Sequence, residues 1–317
     1  MTAPMPEQRQ LPNQDAWGEL YPFRPNYFEL SDSFSSGCRC HYLDEYSEKC
    51  PAAETRCLLF VHGNPTWSFH WRQLIVSLRG QYRCVAPDHL GCGKSDLQPR
   101  PLSLADHIDN LLSLVEWLDL RRVTLVAQDW GGAIGLGCAL RASDRFERVA
   151  LLNTGAFPPW FIPWRIRVCR WPLVGKLAVQ GANAFSRAAL KMTTTRKERL
   201  DPREEQAYLA PYSDWSHRAA VYQFVRDIPL SPRHRTWQTL EQIEAGLPEL
   251  GRLPIQLIWG MQDWCFTPEC LERFMQHWPQ AEVHRLADVG HWAVEDAPEF
   301  VESLLADWLR RSEEALT

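Results

Sequence analysis

Asp129 stands between a short apolar run, Val123-Thr124-Leu125-Val126-Ala127, and a stretch of small residues that opens Trp130-Gly131-Gly132. A strand turning sharply into a helix here would hold the carboxylate in a strained conformation with its oxygens exposed. Such a turn leaves room only for small side chains two residues to either side, and Ala127 and Gly131 fill those places. The nucleophile then limits the reaction. A serine would form acyl esters, whereas a carboxylate attacks a saturated carbon and becomes the acyl half of an alkyl ester.

Three further loops, each following an apolar run, carry side chains able to assist: His62-Gly63-Asn64-Pro65, Gly260-Met261-Gln262-Asp263 and Gly290-His291. Singly, each is ordinary. An Asp before Trp-Gly-Gly commonly serves a turn or cap, Asn64 before Pro65 reads as turn chemistry, and His291 could be a satisfied loop histidine. His62 reads as a brace for its turn. The segment Asp88-x-x-Gly91-x-Gly93-x-Ser95 lacks the lysine-serine ending of a phosphate loop and the acidic ribose partner of a dinucleotide site, so it reads as a structural turn.

The elements that must position these loops alternate. Strands are predicted over Tyr27 to Leu30, Cys38 to Leu43, Cys57 to Val61, Tyr82 to Ala86, Val123 to Ala127, Val149 to Asn153, Ile255 to Trp259 and Glu282 to Leu286, with Asp32 to Gly37 as an early turn. Helices are predicted over Trp67 to Leu78, from Ser103 with Asp106 closing a capping box, after Asp129, and over Pro298 to Leu309. Strands alternating with helices indicate a mostly parallel sheet covered on both faces, with functional groups at the strand C-termini. Between Pro158 and Pro232 the alternation stops and the chain turns helical, aromatic and Arg-rich, as an insertion would. The expected division is a core of 1–157 and 233–317 with a helical cap of 158–232.

The 317 residues are 45% apolar with a net charge of −5, an ordered globular composition. No block of five or more Lys/Arg residues offers a footprint for nucleic acid. No run of 18 apolar residues predicts a membrane span, and the start lacks the stretches of a signal peptide, so a cytoplasmic location is expected. Cys57, Cys84 and Cys138 sit inside apolar patterns and read as buried thiols, and no ligand spacing signals a metal. Fifteen Trp residues suit a chain that builds aromatic pockets.

The order nucleophile, acid, histidine resembles the α/β-hydrolase fold, and the HGNPTW and QDWGG segments resemble haloalkane dehalogenases from about Tyr27 onward. With an Asp following the strand ending at Trp259 and Asn153 at the earlier strand end, the likeness is to the third dehalogenase subfamily, which also resembles β-lactone decarboxylases of olefin biosynthesis. The resemblance implies an eight-stranded, mostly parallel sheet flanked by helices, with an inserted helical cap. It implies Asp129 as nucleophile, His291 as general base, Asp263 as the acid that orients it, and Asn64 and Trp130 as leaving-group donors whose backbone N–H groups form the oxyanion hole. Asp288, Glu295 and Asp296 are rivals to Asp263 by proximity in sequence. By analogy with lid positions, Phe157, Trp160, Phe185 and Phe224 are expected in the pocket wall.

The implied reaction is hydrolytic dehalogenation of a small apolar or halogenated substrate through an alkyl-aspartate ester, needing no cofactor and no metal. A β-lactone decarboxylase using the same Asp is the alternative. Epoxide hydrolysis, with Tyr208, Tyr212 or Tyr222 protonating the ring oxygen, and a binding protein on a hydrolase scaffold are further readings. Trp160, Phe161, Trp164 and Trp171, interleaved with Arg165, Arg167 and Arg170, read first as cap packing, then as a homo-oligomer interface, with membrane-surface contact also open.

Overall fold

The computed structural model describes residues 9–31, 36–47, 56–196 and 200–316. Its centre is one eight-stranded sheet in the order β1-β2-β4-β3-β5-β6-β7-β8. The strands are β1 (Asn26–Glu29), β2 (Arg39–Glu45), β3 (Cys57–Val61), β4 (Arg83–Pro87), β5 (Val123–Asp129), β6 (Phe146–Thr154), β7 (Ile255–Gly260) and β8 (Glu282–Leu286). β1 and β2 join as antiparallel edge strands, and every pairing from β4 through β8 is parallel.

β3 and β5 are buried at every position, as strands covered on both faces must be. Alternation along them sorts side chains into two cores. Leu59, Val61, Leu125, Ala127, Leu151 and Leu257 point to one face, under the helices Leu104–Trp117, Trp130–Arg141, Arg235–Leu250 and Pro268–His277. Leu58, Phe60, Val126, Ala150, Leu152 and Ile258 point to the other, under Arg72–Leu78 and Pro298–Leu316. Cys57, Cys84 and Cys138 are buried among them.

Each predicted strand is present within a few residues. The predicted turn from Asp32 lies partly outside the described residues. The helix expected from Trp67 opens as a 3-10 turn, Ser68–Trp71, whose first N–H, that of Ser68, donates to Asp88 Oδ1 at 2.7 Å. The capping box at Ser103 and Asp106 is formed.

After β6 the chain leaves the sheet for a helical layer that includes Trp164–Cys169, Ala184–Met192, Pro202–Leu209 and Ala219–Asp227. Asp227 ties the end of that layer to the core, accepting from Leu104 N–H and Thr236 Oγ1–H at 2.8 Å each. Burial pushes its carboxyl up to about 6. Among the described residues, no helix is long and apolar enough to cross a membrane.

Candidate active site

At the end of β5 the backbone turns abruptly. Asp129 has φ 55° and ψ −132°, a conformation that costs energy for any residue with a Cβ, and the helix Trp130–Arg141 begins immediately after it. Close packing holds the turn in place. A Cβ at Gly131 would lie 2.1 Å from Val61 O, and one at Gly63 would lie 2.1 Å from Asp129 Oδ1, so both loops need glycine to approach. Thr154 Oγ1 donates to the Asp129 carbonyl at 2.5 Å.

The two carboxylate oxygens of Asp129 have different surroundings. Oδ1 accepts from Asn64 N–H at 2.6 Å, whereas Oδ2 lies 3.6 Å from His291 Nε2. The start of the Trp130–Arg141 helix adds its positive dipole end beneath the carboxylate. Asp129 is 7% exposed and His291 5%, so the charges interact with little water between them.

The loop after β8 delivers His291, and the loop after β7 delivers its partner. His291 Nδ1 lies 2.7 Å from Asp263 Oδ2, which fixes the proton on Nδ1 and aims Nε2 at Asp129. Asp263 is itself saturated with donors: Cys265 N–H at 2.7 Å and Phe266 N–H at 3.1 Å on Oδ1, and Asn153 Nδ2–H at 3.0 Å on Oδ2. The Phe266 ring stacks over the imidazole at 5.5 Å. Burial opposes an imidazolium here, but the Asp263 and Asp129 carboxylates outweigh it and push His291 up to about 10.

The rivals to Asp263 are engaged elsewhere. Glu295 pairs with Arg72 at 2.5 Å and accepts from Tyr208 O–H, Asp296 accepts from Gly290 N–H at 2.7 Å, and Asp288 is exposed at the surface. His62 braces its turn in the neutral form: Nε2 accepts from His89 N–H at 3.1 Å, so Nδ1 donates to Gly63 O at 2.8 Å. Asp88 accepts from Lys94 N–H inside its own turn and from Ser68 N–H of the loop after β3, occupying the loop a nucleotide would need.

Asp129, His291, Asn64 and Trp130 open together into a cavity of about 340 Å³ with a predominantly apolar wall. Asn64 Nδ2 donates to Val221 O at 3.3 Å and retains a second N–H. Phe157, Trp160 and Phe185 line the cavity. Phe224 does not, which corrects that expectation. It is buried behind the wall, stacked on His107 at 4.5 Å and set against Trp130 at 5.6 Å, because its helix turns Val225 toward the cavity instead. None of the three tyrosines considered as ring-oxygen acids lines the cavity. Tyr208 O–H donates to Glu295, Tyr212 O–H to Thr66 O, and Tyr222 O–H to Pro172 O.

Two residues at the site were not given roles from sequence. Asn153, at the end of β6 with φ 27°, accepts from Gly260 N–H at 2.8 Å and donates to both Gly260 O and Asp263. Gln128 Nε2 donates to His291 O at 2.8 Å. Adjacency to Asp129 was a signal for Gln128, while Asn153 was legible only as the place where an acid could have stood. Among the described residues no group of three or more His, Cys, Asp or Glu gathers as metal ligands would.

A strained aspartate at a strand-to-helix turn, an acid-supported histidine facing it and a mostly parallel sheet define an α/β-hydrolase. Residues 57–298 match the alpha/beta hydrolase fold family, and the chain belongs to it. Relatives of two kinds are similar to it. It is 35% identical over 307 residues to a cis-3-alkyl-4-alkyloxetan-2-one decarboxylase of Shewanella oneidensis, spanning 94% of this chain and 92% of the relative. It is 32% identical over 299 residues to haloalkane dehalogenase 2 of Mycobacterium tuberculosis, spanning 91% and 96%. A solved haloalkane dehalogenase from Agrobacterium tumefaciens superposes with a TM-score of 0.79 at 26% identity, covering 91% of this chain and 97% of that one. The chain is thus an enzyme of the hydrolase type.

Proposed function

We propose that the protein opens a cis-3,4-dialkyl oxetan-2-one and expels carbon dioxide to leave an alkene, with Asp129 as the nucleophile. The observation that carries this reading is the placement of Asp129 Oδ2, facing His291 where both open into an apolar cavity of about 340 Å³. That volume lies within the about 300–1,000 Å³ of small-molecule sites. The greater identity to a β-lactone decarboxylase than to a dehalogenase supports the same choice.

Asp129 attacks the ring carbon that bears oxygen, and the carbon–oxygen bond breaks in line, releasing a carboxylate. The product is an alkyl-aspartate ester with a carboxylate on the neighbouring carbon. Loss of carbon dioxide from that carboxylate supplies the electron pair of the double bond as the Asp129 carboxylate departs, so no water and no proton are consumed. Asn64 and Trp130, which line the cavity with Asp129, would donate to the negative charge that builds on the leaving oxygen. Inversion at the attacked carbon followed by anti elimination yields a cis alkene from a cis lactone. The helices of 158–232 act as the cap that keeps water from the ester.

His291 separates this chemistry from hydrolysis. Esterification of Asp129 removes one of the two carboxylates that hold the imidazole charged, which would free it to act as a base toward water. In ring opening, the liberated carboxylate replaces that lost charge, keeps the imidazole protonated and suppresses hydrolysis.

Hydrolytic dehalogenation is the second reading, favoured by Asn64 and Trp130, which line the cavity beside Asp129 as neutral donors for a departing halide. Incubation with a long-chain cis-3,4-dialkyl lactone, and separately with brominated and iodinated alkanes, tests both. Alkene and carbon dioxide in the first, absent in Asp129→Asn, support decarboxylation. Halide release alone transfers the assignment to dehalogenation, and neither product from folded protein removes both.

A further inference from the structure

The outer face of the cap carries an apolar surface of which only Trp160 and Phe161 belong to the cavity wall. Trp160, Phe161, Trp164, Trp171, Leu173 and Leu177 are all exposed within 18 residues of chain, with Trp164 68% and Leu173 78% exposed. This is not a loosely folded stretch. Ile166 and Val179 are buried beneath it, and Arg170 fastens it to the carbonyls of Val225 and Arg226 at 2.8 Å each.

Charge along this stretch of chain is of one sign. No Asp or Glu occurs between Glu147 and Glu198, in a protein whose net charge is −5. Arg165, Arg167, Lys176, Arg187 and Lys191 are exposed along it, and none of them enters an ion pair among the described residues. Arg165 lies over the Trp164 ring at 5.5 Å. Exposed indoles among unpaired cations match the interface of a bilayer, where the ring sits at headgroup depth and the cations meet lipid phosphate. A second copy fits poorly, because a two-fold contact would set these cations against themselves.

We infer that the cap segment 160–177 docks peripherally on a membrane surface bearing anionic headgroups. The same segment supplies Phe161, Ile162 and Ile166 to the cavity wall, so docking would place the cavity beside the phase in which an apolar substrate dissolves. The inference stands on this surface alone, and vesicle binding is read without turnover, so it and the proposed reaction fail independently.

The test is flotation of the full-length protein with vesicles of phosphatidylcholine, with and without phosphatidylglycerol. Trp171, Leu173 and Leu177 are outside the cavity lining, so one variant carries Trp171→Ser, Leu173→Ser and Leu177→Ser, and a second carries Arg167→Glu and Lys176→Glu. The wild type is expected to float with the anionic vesicles and to be released by salt. Each variant should lose about tenfold or more of the bound fraction, while its turnover of a short, water-soluble substrate matches wild type and shows the fold intact. No flotation of the wild type with either vesicle, or undiminished binding by both variants, overturns the inference. So does sedimentation showing that the wild type self-associates through this face and floats with neither vesicle, while the serine variant is monomeric.

Discussion

Asn153 holds Asp263 from a neighbouring strand: its Nδ2 donates to Asp263 Oδ2 at 3.0 Å, the same oxygen that receives His291 Nδ1 at 2.7 Å. The acid therefore arrives from the loop after β7, but its position is set by the end of β6. Asn153 also spans Gly260 through its backbone N–H and carbonyl, so one side chain fixes three groups. Asn153→Ala should cost about 1–3 kcal/mol through buried groups left without partners. Turnover should fall about tenfold or more as the imidazole loses its fixed aim. Chemical denaturation and steady-state kinetics measure the two, and an unchanged kcat in a destabilised protein would confine Asn153 to a structural role.

The charged His291 pair makes stability depend on pH in a definite direction. Its folded value, about 10, is raised above the ordinary 6.5, so the pairing contributes fully below pH 6.5 and is lost as pH rises toward about 10. Thermal midpoints measured from pH 6 to 10 should fall for the wild type. The fall should be shallower for His291→Phe, and parallel curves would contradict the charged pair.

Gly131 faces the backbone of β3, and a flexible neighbour cannot yield there. With Val61 O only 2.1 Å from the Cβ position, Gly131→Ala should destabilise by about 3 kcal/mol or more, or fail to fold. Expression yield and urea midpoint read this directly, and near-wild-type stability would show that the turn can open.

Phe224 and Trp160 should behave oppositely. Phe224 is 3% exposed and stacked on His107, so Phe224→Ala should cost about 3–5 kcal/mol as a cavity opens behind Trp130. Trp160 is 52% exposed and lines the cavity beside Asp129, so Trp160→Ala should change stability by less than about 1 kcal/mol while raising KM for a long-chain substrate.

The parts of this arrangement visible in sequence are those written in local pattern. β3 is a continuous apolar run because both its faces are covered, and Asp129 closes the largely apolar β5, whereas His291 lies five residues beyond the polar strand β8 and was marked only by Gly290 before it and the helix after it. Phe224 was misplaced because a cap helix can present any of several faces, and nothing in its own spacing says that Val225 rather than Phe224 meets the cavity. The bracing role of Asn153 depends on the approach of β7 to β6, a contact with Gly260 that lies 107 residues away in sequence. Neither could be read from neighbours along the chain.

The central claim is that a carboxylate oxygen of Asp129 bonds covalently to a saturated carbon of the substrate. His291→Phe protein incubated with a long-chain bromoalkane or with the cis-dialkyl lactone, digested and analysed by mass spectrometry, tests it most directly. The account predicts that the peptide containing Asp129 gains the mass of the alkyl group from the bromide, or of the whole lactone if the ester is caught before carbon dioxide leaves. With the bromoalkane, an unmodified Asp129 peptide alongside halide release would contradict it, as would the added mass on another residue with either substrate.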